Sequence, residues 1–204
     1  MLVLSLALGT GRPSETGKGE GSGTNLNIVF PTGGMGNVEY AAAVSELVLP
    51  VIREFEPDLI IMACGLDAAQ GDLLGDCGMS PDMYYAITSA LLEEAGRSTP
   101  FVVALEGGYN LAVINSCMEA ISLALLDEKY ISLKPSSAPV DVSLEHYWIN
   151  EDMLHTSGVQ IPSDSSSTTW LALNAVRKSA IALGKTRRFG WIGRPDNILP
   201  KGYA

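Results

Sequence analysis

Apolar residues in this chain fall into two patterns, short unbroken runs and longer stretches in which they recur every three or four positions. The runs at 2–8, 26–30, 59–64 and 101–105 are too short for helices and rich in Leu, Ile and Val, so they predict strands. Because 59–64 and 101–105 lack polar alternation, they read as strands buried on both faces. Helical spacing marks Val38 to Phe55, with Val44, Leu47, Val48 and Val51 on one stripe, and Pro50 is expected to kink or divide that helix. Ser80 and Pro81 supply an N-cap and a first-turn proline for a helix to about Ala95, whose stripe is Met83, Tyr84, Ile87 and Leu91. Another helix starts at Asn110 or Leu111 and runs to about Leu126, and a last amphipathic one spans about 169–183, between serines and Gly184.

Strand, helix, strand, helix, strand, helix is the order of an α/β domain with a parallel sheet and right-handed crossovers. Successive parallel strands end on the same edge, so the loop after Leu105 is expected beside the loop that follows Cys64. From Lys129 the pattern changes: prolines 135, 139 and 162 and clustered serines predict an irregular extension over 129–204 that carries the last helix. Residues 1–128 then form the folded domain.

Composition narrows the classes. With 47% apolar and 18% charged residues among 204, the chain reads as a globular protein with a substantial core. The net charge of −10 is unevenly spread: every acid but Asp196 precedes residue 165, while seven of the thirteen Lys and Arg residues lie from Arg177 to Lys201. An acidic body argues against nucleic acid or phosphate as its partner, and the basic tail would suit an acidic one. Cys64, Cys77 and Cys117 are odd in number and widely spaced, without a Cys-x-x-Cys pair, which favours a reducing compartment. Met1 to Leu8 lacks the charged start of a signal peptide, and no run approaches the roughly 18 apolar residues of a membrane span.

Two loops carry candidate chemistry. Asp67 follows Cys64-Gly65-Leu66 at the end of a strand, where ligands gather in parallel sheets; an Asp there also serves as a turn former or helix cap. Glu106-Gly107-Gly108-Tyr109 places two glycines before a phenol, letting backbone approach a ligand and exposing the ring, unless the ring merely packs on its loop. An Asp and a Tyr together would offer a metal ligand and a donor to a developing oxyanion. The Gly17-Lys18 pair invites a phosphate-binding loop, but that motif requires glycine where Arg12 stands and Ser or Thr where Gly19 stands.

The segments Ala63-Cys64-Gly65-Leu66-Asp67-Ala68, Gly71-Asp72-Leu73-Leu74-Gly75 and Leu105-Glu106-Gly107-Gly108-Tyr109-Asn110 together resemble the C-terminal half of the zinc-dependent histone deacetylases, nearest their class II and plant or bacterial branches. Gly9-Thr10-Gly11, Asn25-Leu26-Asn27, Glu39-Tyr40 and Phe55-Glu56-Pro57-Asp58 extend the resemblance over roughly residues 3 to 127. It implies a three-layer α/β/α arginase/deacetylase fold and zinc-dependent hydrolysis of N-acetyl-lysine in histones or other proteins. Asp67 matches an aspartate zinc ligand, Tyr109 the tyrosine that polarises the acetyl carbonyl, and Leu74 the channel wall, with Gly107 and Gly108 shaping the floor. The family's paired histidines and the Asp-x-His that supplies its other zinc ligands lie upstream of the matched half; the two histidines here, His146 and His155, stand in no matching motif. The resemblance therefore implies a domain truncated at its N-terminus. It also implies an intracellular protein of nucleus or cytoplasm, with acetylated proteins as substrates and no membrane or direct nucleic-acid contact. The alternative is a catalytically silent module that binds protein partners through an exposed sheet face.

Overall fold

The structure, a computed structural model, describes residues 1–8, 11–128 and 168–185. The expected irregular stretch after residue 128 and the tail beyond 185 lie outside the described residues, as do His146 and His155. The described residues fall into two compact units, one from 1–33, 42–55 and the last helix, the other from 34–41 and 56–128.

In the first unit, β1 (Val3–Leu8) pairs in parallel with β2 (Asn25–Phe30), from Val3 opposite Asn25 to Leu8 opposite Phe30. The intervening glycine-rich loop includes a short 3-10 turn, Gly19–Gly21, and feeds a strand rather than a helix, which removes the helix N-terminus a phosphate loop needs. Asn27 ties this loop down: its amide donates to the carbonyls of Arg12 and Glu15, and Asn25 reaches Glu15 as well. Along β2, Leu26, Ile28 and Phe30 are buried, and the last helix, Thr168–Gly184, packs against the strand. Its Ser179 hydroxyl donates to the Asn27 carbonyl at 2.5 Å, so even the polar contact between them is satisfied.

The helical stripe over 38–55 resolves into α1 (Asn37–Ala43), a π-helical turn (Val44–Val48) and α2 (Leu49–Phe55). Pro50 has no N–H to return to the preceding turn, and the chain adjusts by widening: the Leu49 N–H reaches back five residues to the Val44 carbonyl. Pro50 thus divides the helix without ending it. At the start of α1, Glu39 folds back to accept the Gly36 N–H at 2.8 Å, half of a capping box.

In the second unit, β3 (Ile60–Cys64) pairs in parallel with β4 (Phe101–Leu105), Ile60 opposite Phe101 and Cys64 opposite Leu105. Helix α3 (Pro81–Ala95) makes the crossover and packs against α4 (Leu111–Leu125). The expected stripe of α3 is buried, Met83, Tyr84, Ile87 and Leu91, and α4 meets it with small or slender residues, Cys117, Ala120, Ile121 and Ala124. With the last helix numbered α5, the chain is α/β with parallel strand pairs, but two sequence expectations need correction. First, β3 and β4 are not buried on both faces: Ile61 is 66% and Val102 50% exposed, side by side in the register. An unbroken apolar run does not reveal which of its faces is covered. Second, Ser80 stands at the N-cap of α3 without capping it, because Asn37 claims both its groups, donating to the hydroxyl and accepting the Ser80 N–H at 2.8 Å each.

Candidate functional site

The site candidates lie where β3 and β4 end. Past the last paired residues the two chains stay bonded: the Glu106 N–H donates to the Cys64 carbonyl at 3.1 Å, and the Leu66 N–H to the Gly107 carbonyl at 2.9 Å. This extension lays the Asp67 loop against the Gly107 loop, as the parallel topology predicts. It also explains Gly107. A Cβ there would stand 3.0 Å from Asp67 Oδ2, and one at Gly65 would stand 2.8 Å from Asp67 Oδ1, so the carboxylate rests on two bare stretches of backbone. At Gly108, φ +127°, a Cβ would stand 3.0 Å from Ile114 Cγ1 and 3.1 Å from the Leu66 Cβ.

Beneath the loop the support is aromatic. Tyr84 is buried on α3 and donates to the Gly65 carbonyl at 3.3 Å, and the buried Tyr40 hydroxyl lies 3.9 Å from Cys77 Sγ. Burial pushes both phenols far above their ordinary range, which keeps them neutral donors. Burial, helped by the Asp67 charge, likewise raises the Cys64 thiol to about 11.

The segment after Asp67 curls back on itself. Gly75 passes so close that a Cβ would fall 1.7 Å from the Asp67 carbonyl oxygen, which excludes any side chain there. Between them Asp72 accepts three backbone N–H groups, from Leu74 at 2.8 Å and Gly75 at 3.1 Å on Oδ1, and from Tyr109 at 2.6 Å on Oδ2. Desolvation is the largest single influence and pushes this carboxyl up, but the surrounding backbone N–H groups, those three and the neighbouring one of Asn110, together outweigh it and hold it below the usual range. Asn110 adds a second tie, donating to the Gly71 carbonyl at 2.8 Å while its Oδ1 caps α4 through the Ala112 N–H.

Of the residues singled out from the sequence, Asp67 and Gly107 are thus in contact, and the backbones of Leu74 and Tyr109 meet on one carboxylate. Tyr109 is 54% and Leu74 69% exposed, so neither is fixed by burial. Asp72 and Tyr40 stand in the resembling segments and Tyr84 in the α3 stripe, but the sequence assigns none of them a role at the site. Asp72 lies within the Gly71-to-Gly75 segment, but a place between glycines marks a turn and not the partner 37 residues away. Among the described residues no three His, Cys, Asp or Glu side chains converge to hold a metal. A catalytic zinc takes three protein ligands, so the described residues do not fit one by themselves.

The Histone deacetylase domain family matches residues 9–125 of this chain, more than half of it. The chain belongs to the histone deacetylase family. It is 42% identical over 118 residues to Histone deacetylase HDA1 of Saccharomyces cerevisiae, a match covering 58% of this chain and 16% of that protein. The solved histone deacetylase Clr3 superimposes over 95% of this chain and 28% of its own, at a TM-score of 0.69 and 27% identity. The HDA15 HD domain does so over 91% of this chain and 47% of its own, at a TM-score of 0.59 and 29% identity. The α/β elements of this chain are therefore part of the arginase/deacetylase fold. The chain spans about one sixth of the length of its yeast relative. No helix among its described residues is long and apolar enough to cross a membrane.

Proposed function

We propose that this chain forms part of a protein lysine deacetylase site, with Asp67 as one zinc ligand and Tyr109 as donor to the acetyl carbonyl oxygen. What carries the reading is the seating of the Asp67 carboxylate on Gly65 and Gly107, in the loop pair that also presents Tyr109. The histone deacetylases are generally zinc enzymes, and this family membership supports zinc here, with ligands besides Asp67 coming from outside the described residues.

In that site each residue has a limited task. The hydroxyl of Tyr109, a largely exposed residue, donates to the carbonyl oxygen as it gains negative charge, a contact worth more in the transition state than in the bound amide. Leu74 offers apolar surface to the aliphatic stem of the acetylated lysine. Gly107 and Gly108 keep the floor free of side chains. The substrates are acetylated histones or other acetylated proteins, and the setting is intracellular, nuclear or cytoplasmic.

A second reading has its own observation. Leu59, Ile61 and Val102 expose apolar surface on one side of the β3–β4 pair, which suits a silent module held by protein partners. Purifying the protein from its native cells, then measuring bound zinc and acetate released from an acetyl-lysine peptide, separates the two. Stoichiometric zinc, lost in Asp67→Ala, together with turnover supports the deacetylase; neither zinc nor turnover would leave the partner-binding module standing.

A further inference from the structure

Tyr109 and Leu74 are both largely exposed, so packing does not determine how they stand relative to each other. Hydrogen bonding does. Asp72 divides its two oxygens between two loops, Oδ1 taking the N–H groups of Leu74 and Gly75, Oδ2 that of Tyr109. We propose that Asp72 is a positioning residue, a two-sided clamp that fixes the Leu74 loop against the Tyr109 loop. The importance of the two residues it aligns rests on the deacetylase reading above; the clamp itself does not.

The chemistry demands a carboxylate. Three N–H groups arriving from two directions need acceptor atoms on both sides, and an ionised Asp presents only acceptors. Asparagine has one acceptor oxygen, and its NH2 would face an N–H on the other side. Glutamate would carry its oxygens one methylene too far for the short turn between Asp72 and Leu74, where the donor lies only two residues on. The neighbouring tie from Asn110 to Gly71 joins the same two loops but leaves Leu74, Gly75 and the Tyr109 N–H untouched.

The test is residue-resolved amide hydrogen exchange on the full chain, wild type against Asp72→Ala and Asp72→Asn. In Asp72→Ala the amides of Leu74, Gly75 and Tyr109 should exchange at least about tenfold faster, the scale of losing a bond to a charged acceptor. Ala104 in β4, whose N–H the register directs to the Met62 carbonyl, and Ile114 in α4 should keep their wild-type rates. Asp72→Asn should split the set, protecting either Leu74 and Gly75 or Tyr109, but not both. Unchanged exchange at all three amides in either variant would overturn the clamp, and so would equal acceleration of β4 and α4 in both, which is the mark of general unfolding. A protein that shows the split yet never releases acetate would sink the deacetylase reading and leave the clamp in place.

Discussion

Each of the two strand pairs is short and internally parallel, yet different forces hold them. Around β1–β2 the work is burial: Leu26, Ile28 and Phe30 lose nearly all their exposure, and α5 lies against β2. Around β3–β4 one face stays open at Ile61 and Val102, while the ends of the strands are gathered by bare glycine backbone and the oxygens of Asp72. A scaffold strand can be fixed by area removed from water, which is large and non-directional. A site loop needs direction, and hydrogen bonds and glycine contacts supply it.

That contrast can be broken in order of expected effect. Phe30→Ala should cost about 3–5 kcal/mol, the usual result of emptying a fully buried aromatic site, read as a drop in the urea midpoint. An unchanged midpoint would show that β2 is not the buried scaffold described. Gly75→Ala forces a methyl against the Asp67 carbonyl and should destabilise by about 1–3 kcal/mol, the range for overpacking, with the change in amide shifts concentrated at 67–75. Shifts spread evenly along the chain would contradict so local a contact.

A smaller effect tests burial near the π turn. Burial raises the Glu46 carboxyl from 4.5 to about 7. Its neutral form is the one the fold favours, so its contribution is fully present below about pH 4.5 and lost as pH rises through about 7. Glu46→Gln should therefore raise the melting temperature at pH 8 relative to wild type and leave it nearly unchanged at pH 4. Equal shifts at both values would mean the carboxyl is solvated. Smallest of all, Ile61→Ser should move stability by no more than about 0.5 kcal/mol, as expected for an exposed position. A loss several times larger would show that the open face of β3 is covered in solution.

The elements were legible because periodicity reports them directly: the strands, the α3 stripe and the Asn110 start of α4 fall where apolar spacing and capping chemistry put them. Two things were hidden. Coverage of a strand depends on what lies across from it, so Ile61 looked as buried as Ile28. Ser80 looked like a cap because Ser before Pro usually is one, and only the fold brings Asn37 to compete for it. In the site, the Asp67 and Tyr109 loops were legible from strand order and from the resemblance, whereas Asp72 was not, since its partner is set by a contact across 37 residues. Local signals in a sequence report local structure, and a clamp between loops is not local.

The most direct test of the central claim is the rate of acetate release from an acetyl-lysine peptide by the protein isolated from its native cells, compared with Tyr109→Phe. Removing the only hydroxyl of the residue should lower turnover by about 10²–10³-fold with zinc content unchanged, the scale of losing one oxyanion donor. Turnover that survives the substitution within a few-fold would contradict the role given to Tyr109.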